Sequence, residues 1–195
     1  MKTSFLLAVS ALMVAAPAAA QTSQWQLDPA HSSAQFAVRH MGISNVRGTF
    51  TKLSGTARYD PADFKNDSVE VTIEVASVDS RVEMRDNDLR SDHFFDVQKY
   101  PTITFRSTKV ESAGADKLKI TGDLTIRGIT KPVTLDVDGP SKPVKDGQGR
   151  LHMGVSATAT VNRTDFGMTG YQGIVGNEVT LTIDAELVQT PTNSK

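Results

Sequence analysis

The chain has 195 residues, 21 Lys and Arg against 22 Asp and Glu for a formal net charge of −1, and no cysteine. A balance so near neutrality builds no field favouring nucleic acid or an anionic surface, and the missing cysteines exclude a disulfide framework, a thiolate metal site and an acylated cysteine. A chain of this length can bury one sizeable core without staples.

Residues 1–20 read as a secretory signal peptide: Lys2 supplies the positive end, Phe5 to Ala16 the apolar stretch, and Ala18-Ala19-Ala20 a small-residue cleavage site. The apolar stretch is shorter than the roughly 20 residues needed to cross a bilayer, so a cleaved leader is expected and the mature chain begins at Gln21. A leader of this kind points to the bacterial periplasm. Residues 21–190 are expected to form a single ligand-binding barrel domain and 191–195 a flexible tail.

Period-two alternation dominates the chain after the leader. A short strand opens at Trp25 to Asp28, and others read at 32–42 and 46–59. Val69, Val71, Ile73 and Val75 then alternate with Glu70, Thr72 and Glu74. One segment breaks the pattern: in 80–90, Ser80 with Glu83 reads as a capping box opening a short, charged surface helix. His93-Phe94-Phe95-Asp96 comes next, and Pro101 restarts extended structure. Strands resume at 102–111, at Leu118 to Ile126, at Val133 to Val137, at 150–162 and at Val179 to Leu187, with turns at Gly114, Gly128 and Asp146-Gly147-Gln148-Gly149.

About eight antiparallel strands with one dry face must hide that face, and a closed barrel or a two-sheet sandwich would each do so. Strand length favours the barrel. Small residues recur in the dry phase: Ala34, Gly48, Gly55, Ala57, Gly122, Ala157, Ala159 and Ala185. They leave room for a ligand in an eight-stranded barrel, or they fit small against large in a filled one. Catalytic signals are missing, with no G-x-S-x-G elbow, P-loop or Rossmann glycines, and His31, His40, His93 and His152 lack metal-ligand spacing. His40 shares the phase of Phe36 and Val38, so it reads either as a polar contact for a ligand or as a satisfied core histidine. Arg81, Arg85, Asp86, Asp88 and Arg90 read as a solvated helix face or a charged site. Phe94 and Phe95 read either as a lid over a barrel mouth or as ordinary docking of the helix.

Several segments together resemble the YceI-like proteins, bacterial periplasmic lipid-binding proteins. They are Asp28-Pro29-Ala30-His31-Ser32, then Phe36-Ala37-Val38-Arg39-His40-Met41-Gly42 and Val46-Arg47-Gly48-Thr49-Phe50. Arg81, Arg85-Asp86 and Leu89 belong with them, as do Phe94-Phe95-Asp96-Val97, Tyr100-Pro101, Leu118 to Val133 and Asp165-Phe166-Gly167-Met168. The resemblance implies an all-β, lipocalin-like, eight-stranded antiparallel barrel with one short surface helix, holding a polyisoprenoid, isoprenoid-quinone-like or other long-chain lipid. With the strand phase, it sets the expected ligand-binding residues as Phe36, Val38, His40, Phe50, Ile73, Val75, Phe94, Phe95, Phe105, Ile120, Leu124, Phe166 and Met168. Expected headgroup contacts are His31, Ser32 and Arg81. No catalytic residue, metal or cofactor is expected beyond the bound lipid; nor is a nucleic-acid partner or stable membrane insertion, although transient contact with membranes or respiratory proteins is. Two rival readings stand beside this one. An enzyme acting on a lipid headgroup would use Asp86 or His31 as base, and an outer-membrane barrel would turn the apolar phase to lipid, against an aromatic content of only 6%.

Overall fold

A computed structural model describes residues 23–191 of the chain. The expected leader, and residues 192–195 of the expected tail, lie outside the described residues. The strands are β1 Ser23–His40, β2 Ser44–Phe50, β3 Leu53–Tyr59, β4 Ser68–Glu74, β5 Val78–Asp79, β6 Thr102–Gly114, β7 Lys117–Ile126, β8 Ile129–Asp138, β9 Val144–Lys145, β10 Leu151–Asn162 and β11 Val175–Gln189. One helix, α1 Glu83–Arg90, lies between β5 and β6.

Hydrogen bonding runs in the order β11, β10, β8, β7, β6, β4, β3, β1, and β11 returns to β1. This is a closed eight-strand antiparallel barrel, and the sandwich alternative is overturned by the closing pair, which extends from Trp25 opposite Gln189 to His40 opposite Val175. Closure also settles which way the apolar phase points. Along β7, Leu118, Ile120, Leu124 and Ile126 are buried while Lys119 and Asp123 are exposed, so the apolar residues face inward, opposite to what a lipid-embedded barrel requires.

Two strand boundaries differ from the sequence reading. The short opening strand and the strand at 32–42 are one continuous β1, bulged between Asp28 and Ser33 against β11. The Asp28 carboxylate accepts the Ala30 N–H at 2.9 Å inside the bulge, so the Pro29 interruption is absorbed without ending the strand. Conversely, the run at 46–59 divides at Thr51 and Lys52. Here β2 pairs with the second half of β1 and β3 with its first half, and the Thr51 N–H donates to Ser77 O at 3.2 Å.

The expected capping box is absent. The helix starts at Glu83, its N-cap is Val82, and no side chain caps it. Ser80 is instead engaged by Asp86, whose carboxylate accepts both its N–H, at 2.8 Å, and its hydroxyl. Arg85 donates from Nε to Ser80 Oγ and from Nη2 to Ser80 O, each at 2.7 Å. Ser80 thus joins Asp86 and Arg85 in a largely buried polar knot, while Glu83 of the expected box stays exposed. A buried carboxylate holding two donors outcompetes one exposed capping bond.

Three of the small inward residues, Gly48, Gly55 and Gly122, leave no open space for a side chain, and at two of them an aromatic ring takes it. A Cβ on Gly48 would run into the Phe36 ring, and one on Gly122 would lie 2.5 Å from both Arg106 O and the Phe105 ring. Each aromatic ring lies over a glycine of the adjacent strand. Gly122→Ala should therefore destabilise the barrel by about 1–3 kcal/mol through overpacking. Gly147→Ala, with nothing within 4 Å of the new carbon, should change stability by less than about 0.5 kcal/mol. Urea unfolding of both variants against the parent checks the difference, and equal midpoints for all three would refute the packing argument.

Candidate functional site

The barrel encloses a cavity of about 260 Å³ whose wall is almost wholly apolar. An engineered apolar cavity of roughly 150 Å³ stays dry and takes up benzene, so a void of this size and lining favours an apolar occupant over water. It spans the height of the barrel. At the helix end it is bounded by Leu89, Phe94, Phe95, Ile126 and Met168, and at the opposite end by Tyr59, Asp67, Pro140 and Met153.

Of the thirteen expected ligand-binding residues, Phe36, Val38, Phe50, Ile73, Phe94, Phe95, Phe105, Ile120, Leu124 and Met168 line this cavity. Three do not. Val75, 1% exposed, has left β4 for the 3-10 turn Val75–Ser77, so strand alternation no longer points it inward. Phe166, also 1% exposed, sits in the 3-10 turn Arg163–Phe166 and packs behind the wall. His40 lies at the end of β1, where the pairing with β11 is irregular between Val38 and His40, and it is not part of the lining.

Phe94 and Phe95 are both buried and both line the cavity. The Phe95 ring meets Phe50 edge-on at 5.6 Å and Phe50 meets Phe36 at 5.9 Å, while Phe94 stacks on Tyr171 at 6.0 Å. The Arg127 guanidinium donates to Asp92 O at 2.9 Å and to Phe94 O, tying this segment to the β7–β8 turn. Wall, end closure and helix docking are therefore one aromatic cluster, and the alternatives of lid and docking residue do not separate.

None of the expected headgroup residues reaches the cavity. His31 is exposed, with Nδ1 2.9 Å from Asp28 Oδ2. Ser32 Oγ accepts the Glu186 N–H at 3.0 Å. Arg81 is exposed with φ 65°. The two bases of the enzymatic reading fare no better, since Asp86 is 7% exposed, absent from the cavity lining and bonded through Oδ1 to Ser80, and His31 is on the outer surface. His31 lies in a network that spacing alone could not show, because β11 contributes to it. Asp28, His31 and Glu186 place donor atoms within 4.8 Å of one another. His152 bridges Glu186 Oε1 at 2.7 Å through Nδ1 and Asp146 Oδ2 at 3.1 Å through Nε2.

Among the polar residues of the lining, Arg163 and Asp67 stand at opposite ends, and neither was found by the sequence reading. Arg163, 2% exposed, donates to Gly176 O at 2.8 Å, Met168 O at 2.6 Å and Val175 O at 3.0 Å. It fastens the 167–175 loop over the helix end, its guanidinium 5.9 Å from the Phe94 ring centre. Asp67 lies at the other end. Its Oδ1 accepts the Asp60 N–H at 2.8 Å, while Oδ2 is the one buried side-chain polar atom among the described residues without a hydrogen-bond partner. Burial, with the Asp60 and Asp63 charges adding, pushes its carboxyl up to about 6.

The His152 network carries a pH dependence. The hydrogen bond to Glu186, then that to Asp146, raises the imidazole above the usual histidine range. A raised folded-state value means that the stabilisation is complete below the unfolded value and is lost as pH rises through the folded one. Glu186→Gln should bring the NMR titration midpoint of His152 down toward the ordinary value near 6.5, and an unmoved midpoint would show that Glu186 is not the cause.

Comparison with known proteins agrees with this geometry. The chain matches the family model described as the YceI-like domain over residues 25–187, the span of the barrel from Trp25 in β1 to Leu187 in β11. It is 40% identical to Protein YceI of Salmonella arizonae over 159 residues, 82% of each chain. Among solved structures it resembles BcnA of Burkholderia cenocepacia, with a TM-score of 0.72 at 28% identity over 82% of this chain and 98% of that one. It also shares its fold with a polyisoprenoid binding domain from Saccharophagus degradans, with a TM-score of 0.63 at 15% identity over 87% of this chain and 100% of that one. A matched span that begins and ends on the two strands closing the barrel takes in the whole cavity, and by that match the chain belongs to the YceI-like family.

Proposed function

We propose that this protein is a periplasmic carrier or store for a polyisoprenoid, such as an isoprenoid quinone, or another long-chain lipid, and that it binds its ligand without transforming it. The observation that carries the reading is the apolar cavity running the height of a closed barrel. Such a tube takes a long apolar chain out of water, worth roughly 25 cal/mol per Å² of chain area before association costs. The shared fold with a domain whose ligand is a polyisoprenoid supports the ligand class, and the leader sequence supports the compartment. Against catalysis, the lining holds neither an activated nucleophile nor an acid–base pair at hydrogen-bond distance.

Transient membrane contact belongs to the same reading. Met41, Ile43, Tyr171 and Ile174 are large apolar residues left 62%, 77%, 48% and 47% exposed at the helix end. Met41, Ile174 and Tyr171 are linked there by Met41 N–H donating to Ile174 O at 2.7 Å and Ile174 N–H to Tyr171 O at 3.1 Å, and Ile43 is two residues along the same turn, its N–H donating to His40 O at 3.0 Å. A lipid in transit needs an apolar contact between bilayer and barrel, and exposed apolar patches mark such sites.

Native mass spectrometry of protein purified without detergent is expected to show a bound species of lipid mass, released into organic solvent on denaturation. Repeated preparations that carry no lipid and take none up from vesicles would sink the carrier reading. A second measurement addresses the membrane face. Ile43→Ser should slow transfer of a fluorescent polyisoprenoid analogue to phosphatidylethanolamine vesicles several-fold while leaving the melting temperature unchanged. Unaltered transfer would remove that face from the account.

A further inference from the structure

The cavity of a lipid carrier has to satisfy both ends of its ligand, and its two ends differ here. At the helix end the polar group of the lining, Arg163, commits Nε, Nη1 and Nη2 to one backbone carbonyl each. At the opposite end Asp67 has Oδ1 fixed by the Asp60 amide and Oδ2 buried without a partner, in a residue that lines the cavity. Buried polar atoms are almost always paired, so an orphan on a cavity wall calls for a ligand atom.

We propose that Asp67 is the anchor for the polar end of the bound lipid, and that this end is an uncharged oxygen group, a hydroxyl or a carbonyl. The inference rests on the lipid-carrier reading and adds the orientation and chemical class of the ligand. The carboxyl provides one atom for one hydrogen bond, which suits a single hydroxyl or carbonyl oxygen. The surroundings disfavour a phosphate or pyrophosphate. Asp60 and Asp63 act electrostatically on Asp67, and Tyr59 beside it feels Asp60, Asp67 and Asp116. The cations of this neighbourhood are Arg58, which lines the cavity and has its Nε on Ser68 Oγ at 3.1 Å, and the exposed Lys65 on the 60–67 connection. An anion would meet more negative than positive charge there, in partly buried surroundings where repulsion is poorly screened.

The chemistry sets the pH response. Asp67 is protonated below about 6 and then donates to a carbonyl oxygen; above that it is an acceptor only, and a carbonyl has nothing to offer it. The test measures binding of a polyprenyl methyl ketone, and of the hydrocarbon of matching chain length, to delipidated protein by displacement of a fluorescent apolar probe. In the parent protein the ketone should bind about fivefold more tightly than the hydrocarbon at about pH 5, the scale of one net hydrogen bond, and this preference should vanish by about pH 8. Asp67→Asn, whose amide donates at any pH and whose oxygen still accepts the Asp60 N–H, should keep the preference at both values. Asp67→Leu should lack it at both, with hydrocarbon affinity equal in all three proteins. A ketone preference that is the same in all three, or a parent preference indifferent to pH, overturns the anchor while leaving the carrier reading intact. Failure of the parent protein to bind even the hydrocarbon overturns the carrier reading and the anchor with it.

Discussion

Closure of β1 on β11 is the constraint on which the rest of this structure depends. A sheet with one dry face must cover that face, and a pairing along nearly the whole of β1 folds the dry face onto itself and removes both free edges. The geometry has a cost in regularity. The first half of β1 pairs with β3 and the second half with β2, and the bulge at Pro29 to Ser32 lets the strand bend between the two. That bulge also turns His31 outward toward Glu186 of β11, so the surface ion network is a by-product of closing the barrel.

The interior is divided between packing and emptiness by side-chain size. Around Phe36, Phe50 and Phe95 the rings fill the helix end, while the middle is lined by aliphatic residues from facing strands that do not meet across the axis. Because the wall is apolar, the few polar groups in it stand out, and each has a distinct burden. Arg163 is satisfied by backbone and holds a loop, whereas Asp67 is half satisfied and so remains chemically open.

The sequence was most legible where one strand obeyed one rule. From Lys117 to Ile126 the alternation is unbroken, and the inward residues Ile120 and Leu124 come from it directly. It was least legible where a distant residue intervened. Ser80 and Glu83 have the spacing of a helix start, but Asp86 takes the Ser80 hydroxyl, a competition that local pattern cannot rank. Val75 and His40 were assigned by extending alternation one residue past the point where a 3-10 turn or an irregular pairing ends it. Asp67 lies in the 60–67 connection between strands, outside any alternating run, and only the folded chain shows that it borders the cavity with one carboxylate oxygen unpaired.

The two glycines beneath aromatic rings bear on how such a tube acquires its bore. Phe36 reclines over Gly48 and Phe105 over Gly122, each glycine belonging to a neighbouring strand. A ring whose tip rests over a glycine of its own wall intrudes less on the lumen than one pointing to the axis, so the calibre at each level is fixed by a pair of positions of which one is absent from the cavity lining. Bulk cannot be added at either glycine without evicting its ring toward the axis. The pair must change together, and the two pairs, on different strands, give this architecture two separate adjustments of internal width.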